Sequence, residues 1–582
     1  MIDVDALLQK RFPEFAVQKK PWLLATSVLL KKLLHQHEIN RFIQSHQHLV
    51  GLEFLDAVLD YFDFKFSISN RDRQNIPDQG RIVIVANHPL GSLDGLALLK
   101  LVSEIRPDVR IVANELLNQI EPLQELFLSV NNLSRQASQT RSMRNMVAAL
   151  EAEQAIIIFP TGEVSRMRPQ GVRDGKWKTG FVRLASKTRS PVLPVFIEGK
   201  NSMVFYSLST LYKPLGTMML VKEMFNKHDK QIAFSVGKPI PYEAIEELDL
   251  PPRLIAKRMR KQVYRLTRTH KKSLFRTVEN VIHPANRKLI RNELRESELI
   301  GSTQDGKRIY LFDYRSNSSV MREIGRLREL SFRQVQEGTG SASDVDEYDR
   351  YYRHLILWDD DELEIVGSYR IGEAWKIVSE KGIQGLYCHS LFELQGAMVP
   401  YLERSIELGR SFVQPRYWGK RSLDYLWFGI GAYLQRHPEV DYMYGPLSLS
   451  GAYPEAAKQQ IVNFYSHLFG RDECLVKPRN PYQFEPDESF SRFSHVSEPG
   501  DYKHAFSLLK QGLDDLGVRV PTLYKQYVEI CHPGGCEFLG FNVDPAFTSC
   551  IDAMILVHIQ SIYQNKRDRY IHSHEKTLGH AA

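Results

Sequence analysis

Four short apolar runs, RIVIVAN (81–87), VRIVAN (109–114), AIIIFP (155–160) and PVLPVFIEG (191–199), most constrain what the first half of this chain can fold into. Each is nearly free of polar residues and must be covered on both faces, which is how strands inside a parallel sheet read. Helical periodicities lie between them, around 94–105, 114–127 and 141–153. That alternation predicts an α/β domain with a largely parallel sheet. The second half reads differently. A helix over 318–335 precedes a charged stretch, SASDVDEYDR (341–350). HLILWD (354–359) and ELEIVGSYRIG (362–372) then make an antiparallel hairpin across Asp360-Asp361. SIELGRSFV (405–413) reads as a strand and RSLDYLWFGIGAYLQRH (421–437) as a helix, giving an α+β domain with a mixed sheet. The polar stretch 285–305 reads as a connector, which places the domains at 1–290 and 300–582.

Composition narrows the class further. With 43 % apolar and 25 % charged residues over 582 positions, the chain is neither disordered nor fibrous. Five scattered cysteines make no disulfide framework and suit a reducing compartment. Cys531-His532 with Cys536 lacks a second Cys pair, so no metal is expected. The first eight residues read as no secretory signal, and no run reaches the ~18 apolar residues of a spanning helix. The net charge of +7 is concentrated. Between Arg253 and Arg276 lie ten Lys and Arg and no Asp or Glu, interleaved with Leu254, Ile255, Met259, Val263, Leu266 and Leu274. This predicts a basic amphipathic helix, suited to an anionic membrane surface or an acidic protein. No nucleic-acid module accompanies it, so nucleic acid is not an expected partner. A second apolar stretch, PWLLATSVLLKKLLH (21–35), is too short to span a membrane and suits either a helix lying in a membrane interface or an ordinary helix packed on the domain core.

The chemistry of the first half follows its strands. Asn87-His88-Pro89-Leu90-Gly91-Ser92-Leu93-Asp94 continues the first run, and a His one short loop from an Asp can act as a general base on a hydroxyl. Phe159-Pro160-Thr161-Gly162-Glu163-Val164-Ser165-Arg166 follows the third run, and Pro194 sits within the fourth. With a segment ending at Arg135, this order of blocks over about 70–240 resembles the glycerolipid (lysophospholipid) acyltransferase family. The resemblance implies that His88 is the base, Asp94 its partner, and Arg135, Glu163 and Arg166 part of the acceptor or carrier-phosphate site. Five residues separate His88 from Asp94 here rather than four, and Thr161 stands at the family's glutamate position. The sequence is in this respect similar to a branch that acylates amino-acid lipids.

In the second half, Arg328 and Phe332 share a helical face, Asp346 and Asp349 follow, and Arg370 lies in a strand. Glu407 and Arg410, three apart, fall on opposite faces of a strand unless a bulge intervenes. The loop carrying Arg416, Gly419, Lys420 and Arg421 enters a helix N-terminus, a setting that suits a phosphate group. The order Arg328/Phe332, Asp346/Asp349, Arg370, Phe392, Glu407/Arg410 resembles the autoinducer synthases, which are GNAT-like. It resembles the ornithine N-acyltransferases more closely, through HLILWD, GLYCHSLFEL, ELGRSFVQPRY and FNVDPAF over roughly 305–560. That likeness implies that Glu407 assists deprotonation of an amine and that Arg370 and Arg410 hold substrate or carrier groups. Asp344, Asp346 and Asp349 would order the site or contact a cationic amino acid, and the 416–421 loop would hold the carrier phosphate.

The two halves in this order resemble bifunctional ornithine lipid synthases. What is implied is N-acylation of L-ornithine by 3-hydroxyacyl-acyl carrier protein in the second half, then O-acylation of the lyso-ornithine lipid in the first. No metal or cofactor is implied beyond the acyl carrier protein donor, and the expected location is the cytoplasmic face of the inner membrane, peripherally bound. The alternatives are the same chemistry on another amino acid such as glycine, or a lysophospholipid acyltransferase whose second half is a non-catalytic carrier-binding scaffold.

Overall fold

In the computed structural model the described residues are 31, 35–91, 93–114, 120–130, 136–169, 171–211, 213–227, 230–267, 272–483 and 502–572. The chain divides into two compact units, Met1–His283 and Pro284–Ala582. The first is built on a seven-stranded sheet. Its strands are β1 (Lys65–Ile68), β2 (Ile82–Ala86), β3 (Arg110–Asn114), β4 (Phe127–Val130), β5 (Ala155–Ile158), β8 (Val192–Glu198) and β9 (Gln231–Val236), while β6 (Arg166–Arg168) and β7 (Gly171–Arg173) form a separate hairpin. The spatial order is β1-β9-β8-β2-β5-β3-β4, parallel throughout except for β8 with β9. β2 is central, and every one of its residues is buried. Side-chain alternation divides its surroundings: Ile82, Ile84 and Ala86 join one core, while Val83 and Val85 join the other.

Three sequence expectations change in this region. Of the helix expected over 114–127, residues 115–119 lie outside the described residues, and the rest is a short 3-10 helix, Glu121–Leu126, followed by edge strand β4. Pro122 suits only a first turn, and Phe127 to Val130 pair with β3 instead. The basic helix covers only Pro252–Val263. Beyond a turn, Leu274 folds back on it: Arg258 donates from Nε (3.0 Å) and Nη2 (2.6 Å) to the Leu274 carbonyl, and the Leu274 N–H donates to Gln262 Oε1 (2.8 Å). The stretch 285–305 is not a connector. It supplies the helix Arg287–Arg295 and the first strand of the second unit, whose boundary lies at 283/284.

That unit holds an eight-stranded sheet in the order β10-β11-β12-β13-β15-β16-β19-β18. These are β10 (Glu298–Ser302), β11 (Arg308–Asp313), β12 (Arg353–Asp359), β13 (Glu364–Glu373), β15 (Ser405–Val413), β16 (Tyr442–Leu449), β18 (Cys536–Asp544) and β19 (Cys550–His558); β14 (Phe392–Leu394) pairs with β17 (Val476–Pro478) apart from them. The predicted hairpin is β12–β13. Ile356 and Trp358 pack under the helix Ser319–Gln334, and Leu355 and Leu357 under the helix Ser422–Arg436, so one strand feeds two layers. All pairings are antiparallel except β15 with β16, which pair in parallel only where Ser405–Glu407 face Tyr442–Tyr444. Beyond that point the two strands part.

Candidate functional site

The end of β2 is fixed by Asn87, whose side chain accepts from the Ile197 N–H (2.7 Å) and donates to the Ile197 carbonyl (2.9 Å), clasping β2 to β8. The next residue is His88. Gly91 turns the loop at φ +109, and a Cβ there would stand 3.2 Å from both Val164 and Leu220, so the turn needs glycine. The loop delivers Asp94 to the start of the helix Leu93–Ser103, fully buried. Its carboxylate accepts a hydrogen bond from His88 Nδ1 (3.1 Å) and from the N–H groups of Leu90 (2.9 Å), Gly91 (3.1 Å) and Gly95 (3.0 Å). A carboxylate at a helix N-terminus with such donors stays ionised. Burial opposes this, but the His88 charge and these hydrogen bonds hold its pKa below the ordinary aspartate value. Burial likewise works against a charged His88, yet the Asp94 carboxylate raises the ring's pKa, with Asp174 adding to it. With Nδ1 committed to Asp94, Nε2 is the free base. Phe159 stacks on the ring at 4.1 Å between centroids.

The second motif brackets the first through the backbone. The Ser165 N–H donates to the His88 carbonyl (2.7 Å), and the His88 N–H donates to Asp174 Oδ1 (3.3 Å). The Ser165 hydroxyl donates to the same oxygen, and Trp177 Nε1 donates to Asp174 Oδ2 (2.8 Å). Asp174 is buried, and burial raises its pKa. The basic helix holds it in place, since Arg260 donates to the Asp174 carbonyl (2.7 Å). Asp174 was not singled out by sequence reasoning; only its place among HPLG, GEVS and Trp177 in three dimensions marks it. Glu163 is half-exposed, 3.8 Å from Arg166 Nε, and Arg166 leans on the Ser209 carbonyl (3.5 Å). Thr161, at the family's glutamate position, is buried with no hydrogen bond to its hydroxyl oxygen among the described residues. Arg135 and nearly all of 21–35 lie outside the described residues.

In the second unit three arginines meet three aspartates. Arg328 Nη1 donates to Asp349 (2.8 Å), and Arg370 Nη1 to Asp346 (2.6 Å) and Asp349 (3.3 Å). Arg410 reaches Asp346 (3.2 Å) and Asp344 (3.5 Å). Asp349 is held well below the usual carboxylate range: burial opposes, and Arg328 and Arg370 prevail. All three aspartates are thus engaged by arginines, although Asp344 Oδ2 makes no hydrogen bond among the described residues. His354, fully buried against Arg328 (3.3 Å), is pushed down to about 4 by burial and by that charge. The aromatic rings of Tyr352 and Tyr387 flank Arg370 at 5.1 and 4.9 Å.

Glu407 and Arg410 do not pair with each other, but a bulge does intervene and lets both reach the same short helix. Register slips between β13 and β15, and Arg410 adopts φ +48, turning its side chain toward the helix Tyr387–Leu391 that Glu407 also contacts. Arg410 Nη1 donates to the Tyr387 hydroxyl (3.1 Å). Glu407, 1 % exposed, accepts from the Tyr352 hydroxyl (2.6 Å), the Cys388 N–H (2.7 Å) and more weakly Tyr444 (3.4 Å). Burial outweighs these bonds and raises its pKa. β15 and β16 still abut at Gly445, where a Cβ would lie 2.0 Å from the Leu408 carbonyl oxygen, and they part beyond it. A cavity opens there, lined by Tyr369, Leu408, Ser411, Tyr444, Pro446 and Tyr527.

Two further groups depart from the sequence expectations. Phe332 and Phe392 pack in separate hydrophobic clusters, Phe392 in the one that also holds Tyr352 and Tyr387. The loop of Arg416, Gly419, Lys420 and Arg421 does enter the helix Ser422–Arg436, whose first turn has no side-chain cap. Arg416, however, is paired with Glu362 and Glu364. Sequence reasoning also passed over Asp552 and Glu337. Burial raises each to about 7, aided for Glu337 by the Asp552 charge, and neither forms an ion pair among the described residues.

The acyltransferase family profile matches residues 7–274, and the acetyltransferase (GNAT) domain profile matches 327–428. A glycine N(alpha)-acyltransferase of Phocaeicola vulgatus is 31 % identical over 315 residues, covering 51 % of this chain and 94 % of the relative. A lyso-glycine lipid O-acyltransferase of the same organism is 32 % identical over 266 residues, 43 % of this chain and 90 % of the relative. An L-ornithine N(alpha)-acyltransferase of Agrobacterium fabrum is 34 % identical over 247 residues, 40 % of this chain and 74 % of the relative.

Proposed function

Because the chain belongs to the acyltransferases, joining an acyltransferase domain to a GNAT domain, we propose that it builds a diacylated amino-acid lipid in two transfers, with L-ornithine as the amino acid. In the first, the α-amine of ornithine attacks the thioester of a 3-hydroxyacyl-acyl carrier protein in the second unit. The N–C bond forms, the C–S bond breaks, and Glu407 receives the amine proton and returns it to the departing sulfur, so that the carrier leaves as its thiol. In the second transfer, His88 Nε2 takes the proton of the 3-hydroxyl in the first unit. The oxygen attacks a second acyl thioester and the proton passes to the departing sulfur. Neither step calls for a metal or a cofactor beyond the carried thioester.

The observation that carries this reading is that the two units hold different proton acceptors. A hydroxyl is a weak nucleophile and needs a positioned base such as the His88–Asp94 pair, whereas an amine needs modest help of the kind a buried carboxylate gives. The gap between β15 and β16 suits the donor: its pantetheine arm carries amides that can pair with strand groups as an added strand does. The uncapped turn at 421–422 supports a phosphate there.

Asp552, buried, and Glu337, partly buried, favour ornithine, since carboxylates shielded from water and without an ion-pair partner among the described residues gain from an ammonium side chain. Glycine remains the second reading, favoured by the larger share of its relative that the chain covers. No helix among the described residues is long and apolar enough to cross a membrane, and the reading takes the chain as peripheral on an anionic inner leaflet. Purified protein given acyl carrier protein thioester and isotope-labelled ornithine or glycine decides between them by mass spectrometry of the lipid product. Diacylated labelled ornithine supports the proposal, diacylated glycine the second reading, and a product without either label overturns both.

A further inference from the structure

The helix Met203–Leu211 turns Phe205, Tyr206 and Ser209 inward, all nearly inaccessible, and leaves Met203 67 % and Val204 59 % exposed. It packs against the β6–β7 hairpin, where Met167 is 43 % exposed and Val172 joins the cluster of Phe205 and Tyr206. Large apolar side chains in water carry a cost with no return in packing, so a group of them on one surface marks a binding face. Exposed cations lie on these elements or next to them in the chain, namely Arg168 on the hairpin, Lys176 and Lys178 just after it, and Lys200 just before the helix, with one exposed carboxylate, Glu163, near Arg168. The face is also tied to the chemistry. Tyr206 accepts from the Asn201 N–H (2.9 Å), and the Asn201 side chain donates to the carbonyls of Pro89 (3.2 Å) and Leu90 (3.3 Å), the two residues after His88.

The basic helix Pro252–Val263 offers no comparable face. Ile255, Ala256, Met259 and Val263 are buried in the core, and Arg258 and Arg260 bind backbone carbonyls of the same unit. Its exposed cations can be drawn to an anionic surface, but it has little apolar surface to insert.

We propose that Met203 and Val204, with Met167 on the adjoining hairpin, form the bilayer-contacting surface of the first unit, seating it on anionic lipid so that a lipid acceptor reaches His88. This rests on the lipid O-acylation proposed above. The occupant is a bilayer rather than a protein because the rim is basic, the centre is apolar, and the reading's acceptor resides in the membrane.

The test uses the full chain with exposed Cys474 replaced by Ser, since the other four cysteines are buried. Single Met203→Cys, Met167→Cys and Lys257→Cys variants carry an environment-sensitive fluorophore and meet vesicles of phosphatidylethanolamine with 30 mol % phosphatidylglycerol, roughly an anionic inner leaflet. Blue-shifted, severalfold brighter emission at 203 and 167, with none at 257, is the expected result. No shift at 203, or a shift produced by acyl carrier protein and not by vesicles, overturns the proposal. A Met203→Asp/Val204→Asp variant should lose roughly tenfold in vesicle partitioning, about 1.4 kcal/mol, while still O-acylating lyso-lipid dispersed in detergent. Unchanged partitioning overturns the proposal too. If the unsubstituted protein acylates no lyso-lipid, the functional reading fails, while the fluorophore shift still decides where the membrane contact lies.

Discussion

Replacing Asp94 by Asn tests the first unit's chemistry and its architecture at once. The carboxylate fills four acceptor roles: Oδ2 serves His88 Nδ1 and the Leu90 N–H, and Oδ1 serves the Gly91 and Gly95 N–H groups. An amide has one accepting oxygen, so either orientation of the new side chain orphans two buried donors. At about 1–3 kcal/mol for each unsatisfied buried group, the loss is roughly 2–6 kcal/mol. At about 2–4 °C per kcal/mol for a domain of a few hundred residues, the first melting transition should fall by at least about 4 °C. The orientation that keeps the histidine bond still removes the charge that fixes the tautomer, and a positioned base contributes roughly 10²–10⁴ in rate. His88→Ala should lose a similar factor in O-acylation while orphaning none of these backbone donors, so its melting temperature should stay much nearer the parent's. Both variants should keep the N-acylation of the second unit and accumulate the mono-acylated lipid. The assay is acyl transfer from carrier thioester, with products read by mass spectrometry and melting followed by calorimetry. An Asp94→Asn protein with the parent's stability, or with O-acylation within a few-fold of it, would refute the reasoning.

Asp174→Asn removes a charge that raises the His88 pKa, so the O-acylation pH profile, whose midpoint should lie above the ordinary histidine value of about 6.5, should move to lower pH. An unmoved midpoint would leave Asp174 a purely mechanical part. His88 has a raised folded pKa, so its stabilising contribution is full below the ordinary histidine value and is lost as pH rises through the folded value. Asp94 has a lowered one, so its contribution is present above the ordinary aspartate value and lost as pH falls through the folded value. Calorimetry of the parent across pH should therefore find the first unit most stable between those limits. Glu407→Gln keeps the shape beside Tyr352 but not the base, and should abolish both products; supplied lyso-lipid should restore the diacyl product. Asp552→Asn should raise KM for ornithine by roughly tenfold to a hundredfold, on about 1.5–3 kcal/mol for a charged hydrogen bond, and leave glycine kinetics alone. Equal effects on both amino acids would remove Asp552 from side-chain recognition.

Much of the fold was legible because it rests on local patterns. The all-apolar runs at 82–86 and 155–158 could be nothing but strands covered on both faces, and β12 shows its two-layer role in the alternation of Leu355, Ile356, Leu357 and Trp358. His88 and Asp94 were legible because six positions of sequence hold them together. What was not legible depends on long-range closure. Asp174 reaches His88 across 86 positions, and Asp552 lies on a strand whose neighbour β16 begins more than a hundred residues earlier. The helix over 253–276 was overread because periodicity does not reveal that Leu274 turns back on Arg258. The bulge at Arg410 was left open for a similar reason: three residues of strand look alike whether or not one has φ above zero, and only the register with β13 decides.

The parting of β15 from β16 also makes the second unit self-reporting. The inner edges of residues 409–413 and 446–449 are not paired with each other, so their unpaired amides should exchange faster than those of the paired edges. On the proposed reading, a thioester arm laid between them would protect those amides whether or not chemistry follows. Deuterium uptake on peptides from these two strands therefore measures donor occupancy in a chain stalled by Glu407→Gln, separating the grip on the carrier from the transfer it serves.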